Sequence, residues 1–362
     1  MSEAARLRTG RLVRFQLFST LPQMRGCPAR QSTGIVVGGP SVPLPDTGYH
    51  VLAVAVAGTP GRRITFSTMT ASAPALRSWR IGSGRELALD RPLVLGILNV
   101  TPDSFSDGGR YGSVAAAVRH AESMLADGAD ILDVGGESTR PQGATPVSAA
   151  EEIQRVVPVL RAILEAFPDA VLSVDTVKSE VARAALDAGA TIVNDVSAMR
   201  LDPDMSRVVA DARAGVVLMH SRGGVQDMAT YAHATYGDVV RDVVAELHQR
   251  LDAAHAAGIA AESIVLDPGI GFAKRAEHSL AMLHGVDRVA ALGHPVLVGA
   301  SRKRFIGSIT RVERPADRVH GTVGAHVAAL ARGATLFRVH DVAAARQSLD
   351  VAWAVFRAGG AR

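Results

Sequence analysis

From residue 91 onward the chain switches, eight times, between a short β-branched run and a longer helical stretch. The runs lie at 93–98 (LVLGIL), 130–134 (DILDV), 171–174 (VLSV), 191–193 (TIV), 215–219 (GVVLM), 263–266 (SIVL), 295–298 (PVLV) and 335–339 (TLFRV). They are almost wholly apolar, as strands buried on both faces must be. Eight strand–helix units in about 270 residues match a (β/α)8 TIM barrel. A doubly wound open sheet is the rival, but it calls for a glycine-rich phosphate turn after the first strand. The segment "NVTPDSFSDGG" at that place is not a GxGxxG.

The helical stretches carry their own signals. In 148–167, Ile153, Val156, Val157, Leu160, Leu164 and Phe167 share one face, and Ser148 with Glu151 forms a capping box. Pro158 inside it predicts a kink or a break. In 237–257, Val240, Val243, Val244, Leu247 and Leu251 point one way, and Gly258 is placed as a C-terminal cap.

Residues 1–90 behave differently. They are rich in Ser, Gly, Pro and Thr and show no sustained period of 3.6 or 2. They read as a poorly ordered N-terminal extension, or as the product of an early start codon with Met69 the true start. An Arg-rich targeting leader is the other reading. The catalytic domain is expected over 91–357. Within 1–68, eight Arg stand against Glu3 and Asp46; with the whole chain at +4, residues 69–362 carry −2. The high pI therefore belongs to the leader, and the main body carries no nucleic-acid footprint. Mean hydropathy is +0.17 and no apolar run approaches the ~18 residues of a membrane span. Cys27 is the only cysteine, so no internal disulfide forms, which suits a cytoplasmic protein.

A barrel places its chemistry at the C-terminal ends of its strands. Those ends carry Asn99, Thr101, Asp103 and Asp107; then Asp133 and "GGESTRP" with Glu137, Ser138, Thr139 and Arg140; then Asp175; then Asn194 and Asp195. His220 follows the fifth strand, Asp267 the sixth, "SRKR" (Ser301, Arg302, Lys303) the seventh, and Arg338 and His340 the eighth. One such residue is ordinary turn chemistry; eight together make a polar bowl on an apolar barrel. The chain uses 36 arginines and only three lysines, at 178, 274 and 303, so the Lys in "SRKR" marks a point-charge donor. Sorted by chemistry, Arg140, Arg302, Arg338 and His340 with the Ser138 and Thr139 hydroxyls suit a phosphate or pyrophosphate. Asp175, Asn194 and Asp267 suit a flat heterocycle rich in N–H donors. Asn99 with Asp103 or Asp107 offers oxygen ligands for Mg2+, and the absence of a Cys/His cluster argues against zinc.

Taken together, "GILNVTPDSFSDGG", "DVGGESTRP", "SVDT", "VNDVSA", "LDPGIGFAK", "GASRKRFIG" and "FRVHDV" resemble the dihydropteroate synthase family, folate-pathway enzymes blocked by sulfonamides. The resemblance covers about 91–357. It implies a (β/α)8 barrel that joins 6-hydroxymethyl-7,8-dihydropterin pyrophosphate to 4-aminobenzoate, giving 7,8-dihydropteroate and pyrophosphate, with Mg2+ near Asn99 and Asp107. It assigns Asp175, Asn194, Asp267 and Lys303 to the pterin, and Asn99, Arg338 and His340 to the pyrophosphate. Phe272, Ser301, Arg302 and Lys303 would bound the aminobenzoate slot. Thr139, Arg140 and Pro141 would belong to one mobile loop and Phe105 to another. A homodimer through the last helices is also implied; membrane and nucleic-acid partners are not.

Two departures from the family pattern stand out. Gln142 in "TRPQGATP" reads as a one-residue insertion, and Arg222 replaces the Gln that many relatives carry after the fifth strand. Two other functions fit the same barrel: a methyltransferase holding methyl-tetrahydrofolate, and a pterin-binding module without catalysis. The first has no need of "SRKR" with "RVH"; the second would tolerate loss of the polar loop residues that this chain keeps.

Overall fold

The computed structural model describes residues 78–101, 109–137 and 147–359. Asp103, Phe105, Asp107, Thr139, Arg140, Pro141 and Gln142 lie outside the described residues, as does most of the N-terminal stretch. The described chain opens with a hairpin, β1 (Ser78–Arg80) and β2 (Glu86–Ala88), and then alternates strand and helix. The strands are β3 (Leu93–Asn99), β4 (Ile131–Gly135), β5 (Leu172–Asp175), β6 (Ile192–Asp195), β7 (Gly215–Met219), β8 (Ile264–Asp267), β9 (Leu297–Val298) and β10 (Leu336–Val339). Between and after them run α1 (Gly109–Ala126), α2 (Ala149–Ala166), α3 (Ser179–Asp187), α4 (Met205–Ala212), α5 (Val239–Ala256), α6 (Ala276–His284), α7 (Val286–Ala290), α8 (Arg304–Thr310), α9 (Val319–Leu330) and α10 (Val342–Gly359).

All eight long-sheet strands are parallel, in the order β8-β7-β6-β5-β4-β3-β10-β9. The ring closes where Leu266 pairs with Val296 and its N–H donates to the Pro295 carbonyl at 2.9 Å. This is the expected (β/α)8 barrel, with a strand at each of the eight expected places.

Period-two alternation divides the side chains. Val94, Leu98, Leu132, Val134, Val216, Leu218 and Leu266 face the helices and join the outer core, where α2 contributes Val156, Val159, Leu160 and Ile163. Leu93, Leu95, Ile131, Ile192, Val217, Val265, Leu297 and Leu336 face inward. The same inward rows turn polar two residues higher. Ile192 is followed by Asn194, Val265 by Asp267, Leu336 by Arg338 and Ile131 by Asp133. The barrel is dry at its base and polar at its C-terminal end because each strand changes character along one face.

The boundary expected at residue 91 is too late. Trp79 and Ile81 are fully buried and complete the inward cluster at the base of the barrel. Trp79 Nε1 donates to the Ser263 carbonyl at 2.9 Å, and Gly82 N–H to Thr191 O at 2.9 Å. Gly215 makes room for this floor: a Cβ there would come within 2.9 Å of Ile81 and 3.2 Å of Trp79. The hairpin was illegible because three-residue strands are too short to show a period.

Helix α2 does not break at Pro158 but runs on through it. The carbonyl that Pro158 leaves without a donor is that of Gln154, an exposed residue, where water can serve it. Half of the expected capping box forms: Ser148 Oγ accepts from Glu151 N–H at 3.2 Å, while the Glu151 carboxylate pairs with Arg155.

Candidate active site

Register sets the first row of the site. Asn99 pairs with Gly135, Gly135 with Asp175, and Asp175 with Asn194, so four strand ends form one rung. Gly135 keeps a gap in that rung: a Cβ there would sit 3.5 Å from Asp175 Cβ and 3.7 Å from Asn99 Oδ1. Above the rung lies a cavity of about 570 Å³. Asn99, Asp175, Asn194, Asp267, Phe272, Ser301, Arg302, Lys303, Arg338 and His340 all line it, although they come from strand ends spread over more than two hundred residues of chain.

A buried ion network forms its base. Arg338 Nε donates to Asp133 Oδ2 at 2.6 Å, and its Nη2 donates to Asp175 Oδ2 at 2.6 Å. Asp133 has no exposed surface, and the same Oδ2 accepts from Asn194 Nδ2 at 3.0 Å. That bond fixes the Asn194 amide, turning its oxygen rather than its nitrogen away from Asp133. Arg338 is thus committed first to carboxylates. Asp133 was named in the sequence but given no role, because a carboxylate two residues below a strand end looks like an interruption in an apolar run. Burial pushes the Asp175 carboxyl upward, and the Arg338 guanidinium pulls it back.

The opposite wall is built from the loops after β8 and β9. Asp267 Oδ1 accepts the Gly269 N–H at 2.7 Å, leaving the other oxygen for a ligand. Burial raises this carboxyl to about 6, against the Gly269 N–H and the nearby Lys303 and Lys274. Lys303 Nζ rests 4.1 Å from the centre of the Phe272 ring. Burial and the Arg338 charge lower the ammonium to about 8, with Asp267 opposing. Ser301 Oγ accepts the His340 backbone N–H at 3.1 Å and sits 2.9 Å from His340 Nδ1. With the imidazole hydrogen on Nε2, the hydroxyl gives its own proton to Nδ1 and leaves Nε2–H free to donate. Burial, with Arg302 and Arg338 adding to it, lowers His340 to about 3, so the ring is a neutral donor rather than a cation. Arg302 is tied to Asp341, with Nε 2.9 Å from Oδ2.

The pterin-binding enzyme family model matches residues 95–340, from the third residue of β3 to the histidine just past β10. The chain belongs to that family. It is 45% identical over 267 residues to the dihydropteroate synthase of Synechocystis sp., spanning 74% of this chain and 91% of that protein. It is similar to the solved Xanthomonas albilineans dihydropteroate synthase with 4-aminobenzoic acid: 48% identity, TM-score 0.71, covering 77% of this chain and 99% of that one. The same enzyme with 7,8-dihydropteroate matches at 46% identity and TM-score 0.69, covering 78% of this chain and 99% of that one.

Within this pterin-binding barrel, other strand-end residues have structural work. Asp195 turns to its own loop, accepting Ser197 N–H at 2.7 Å and Met199 N–H at 2.9 Å. Arg222, the departure noted in the sequence, points away from the cavity. Its Nε lies 3.2 Å from both Glu246 oxygens, and its guanidinium stacks 4.0 Å over the Tyr236 ring. All three lysines cluster at this end of the barrel. Lys178 Nζ bridges Glu137 Oε2 at 2.7 Å and Glu152 Oε2 at 2.6 Å. Glu137 also accepts the Val147 N–H at 3.0 Å, tying residue 137 to residue 147. Lys274 is almost fully buried in the cavity wall. The rarity of lysine was the signal that could have marked both.

Proposed function

We infer that this barrel is a dihydropteroate synthase, joining the exocyclic carbon of 6-hydroxymethyl-7,8-dihydropterin pyrophosphate to the amine of 4-aminobenzoate. The observation that carries the reading is one cavity lined by the acceptors Asp175, Asn194 and Asp267 together with Lys303, whose ammonium rests over the Phe272 ring. A pterin ring presents N–H donors along one edge and a carbonyl on the other. Ionised acceptors on such donors give charge-assisted bonds, about twice as strong as neutral ones. Lys303 then serves the ring carbonyl, and Ser301 and Arg302 border the aminobenzoate slot.

Pyrophosphate leaves from the exocyclic carbon as the C–O bond breaks, and the arylamine lone pair forms the new C–N bond while one proton departs. The electron-rich ring stabilises the carbon centre, so no enzyme nucleophile is needed. His340 Nε2–H donates to the departing anion, and the remaining Arg338 nitrogen adds charge there. Thr139 and Arg140 belong to the same reading as anion contacts. Mg2+ fits the donor chemistry: Asn99 brings an amide oxygen to the rung, Asp107 is the expected carboxylate, and Mg2+ accepts few protein ligands beside phosphate oxygens. It would supply charge neutralisation of the leaving group. Among the described residues no helix is long and apolar enough to cross a membrane. Cytoplasmic residence and a homodimer complete the proposal; exposed Val351, Val355 and Phe356 on α10 support the second.

The test is an assay of the purified full chain with both substrates, following 7,8-dihydropteroate by chromatography. Product that requires both substrates is expected. Absence of product, with methyl transfer from methyl-tetrahydrofolate instead, would overturn the assignment.

A further inference from the structure

One buried cation in the cavity wall has no task in the reaction above. Lys274 is 1% exposed; its Nζ donates to the Phe272 carbonyl at 3.1 Å and lies 2.9 Å from His220 Nδ1. His220, 4% exposed, presents Nε2 to Glu246 Oε2 at 3.0 Å. The three therefore form one directed chain. Lys274 donates to Nδ1, the Nε2–H donates to Glu246, and Glu246 is half-buried at the protein surface. Arg222 clamps that carboxylate from the other side. The His220 backbone N–H also donates to the Asp267 carbonyl at 2.8 Å, so the chain is fastened to the strand end that carries the inner carboxylate. The loop in between is held in unusual backbone: Gly269, Gly271 and Ala273 have φ of +66°, +79° and +45°. Ala273 is pinned by its N–H to Met228 O at 2.7 Å and by Tyr236 Oη to its carbonyl at 3.1 Å. A non-glycine residue in that region persists only where its surroundings over-determine it.

We propose that Lys274, held by His220 and Glu246, joins Lys303 and Arg338 as a buried counter-charge that keeps Asp267 a carboxylate for the N–H edge of its ligand. This rests on the reading of Asp267 as a pterin contact. Lys274 acts through Asp267 and is a positioning residue. Gly269 lies between the two groups: its N–H donates to Asp267 Oδ1 at 2.7 Å, and a Cβ on it would stand 3.4 Å from Lys274 Nζ. The other charges around Lys274 are Lys303 from the loop after β9, Arg222 from the loop after β7 and Glu246 from α5, with His220 and the Tyr236 ring beside it. Burial lowers Lys274 to about 7, while Asp267 and Glu246 hold it up.

The experiment measures affinity for 6-hydroxymethyl-7,8-dihydropterin by calorimetry from pH 5 to 8.5. Lys274→Met should move the acid limb of the affinity curve up by about one pH unit, a tenfold change in the proton affinity of Asp267. Glu246→Gln, a change at a half-buried site, should move it in the same direction by less. All three proteins should converge above pH 8, where wild-type Lys274 has lost its own proton. In an Asp267→Asn background, Lys274→Met should have no further effect. An equal loss at every pH, an unmoved acid limb in both single variants, or additive losses in the double variant would overturn the proposal. If Asp267→Asn alone leaves affinity unchanged, the pterin reading of Asp267 fails instead.

Discussion

Replacing Arg338 by Met strands two carboxylates at once. Its guanidinium makes two 2.6 Å bonds, to Asp133 with no exposed surface and to Asp175 with a side chain 12% exposed. Each charge-assisted hydrogen bond contributes about 1.5–3 kcal/mol. Breaking a buried ion pair by removing one partner costs about 3–5 kcal/mol. The two routes meet near ~4 kcal/mol. For a unit of this size each kcal/mol lowers Tm by about 2–4 °C, so the variant should melt about 8–16 °C below wild type. Urea unfolding at pH 7, followed by circular dichroism, reads the same loss as a lower midpoint at unchanged slope. Adding Asp133→Leu removes the fully buried charge, and the double variant should recover most of the stability. It should not recover turnover, because Asp175 has lost its guanidinium and Asn194 its carboxylate partner. A single variant within 1 kcal/mol of wild type would refute the view that this network holds the barrel interior together.

Other expectations follow from the same structure. Lys303→Ala should lower kcat by more than about 100-fold with Tm unchanged within 2 °C, since the loss is of charge stabilisation at the site. Trp79→Ala should cost about 3–5 kcal/mol in urea unfolding, because the barrel floor loses its largest buried side chain and the bond to Ser263. His326 is fully buried, both ring nitrogens lack partners among the described residues, and burial lowers it to about 4. Its folded value lies below the unfolded one, so the stability it allows is complete above about pH 6.5 and is lost as pH falls toward 4. His326→Leu should stabilise by about 1 kcal/mol at pH 8 and flatten that acid loss. Excess EDTA should slow product formation if Mg2+ neutralises the leaving pyrophosphate, and added Mg2+ should restore it.

Much of this was legible because barrel strands advertise themselves. Continuous apolar runs at regular spacing located every barrel strand, and the polar residues ending most of these runs located the cavity wall. Asn99, Asp175, Asn194, Asp267, Lys303 and Arg338 could be read off that way because in-register parallel strands end together. What could not be read was which polar groups serve the protein itself. Asp195 and Arg222 carry the same letters as ligand-binding residues, yet one closes its own loop and the other clamps Glu246. Their role depends on side-chain direction, which no local pattern encodes. The role of Asp133 was hidden because its partner Arg338 lies 205 residues away and only the closed barrel brings them together. His340 was grouped with the arginines as an anion contact; its protonation state was not legible, and burial beside two arginines makes it a neutral donor.

The central claim is that strand ends from all round the barrel grip one flat ring. A crystal structure of the protein soaked with 6-hydroxymethyl-7,8-dihydropterin tests it directly. The ring should lie with its N–H edge against Asp175, Asn194 and Asp267 and its carbonyl toward Lys303. A ring bound away from those four side chains would contradict the account.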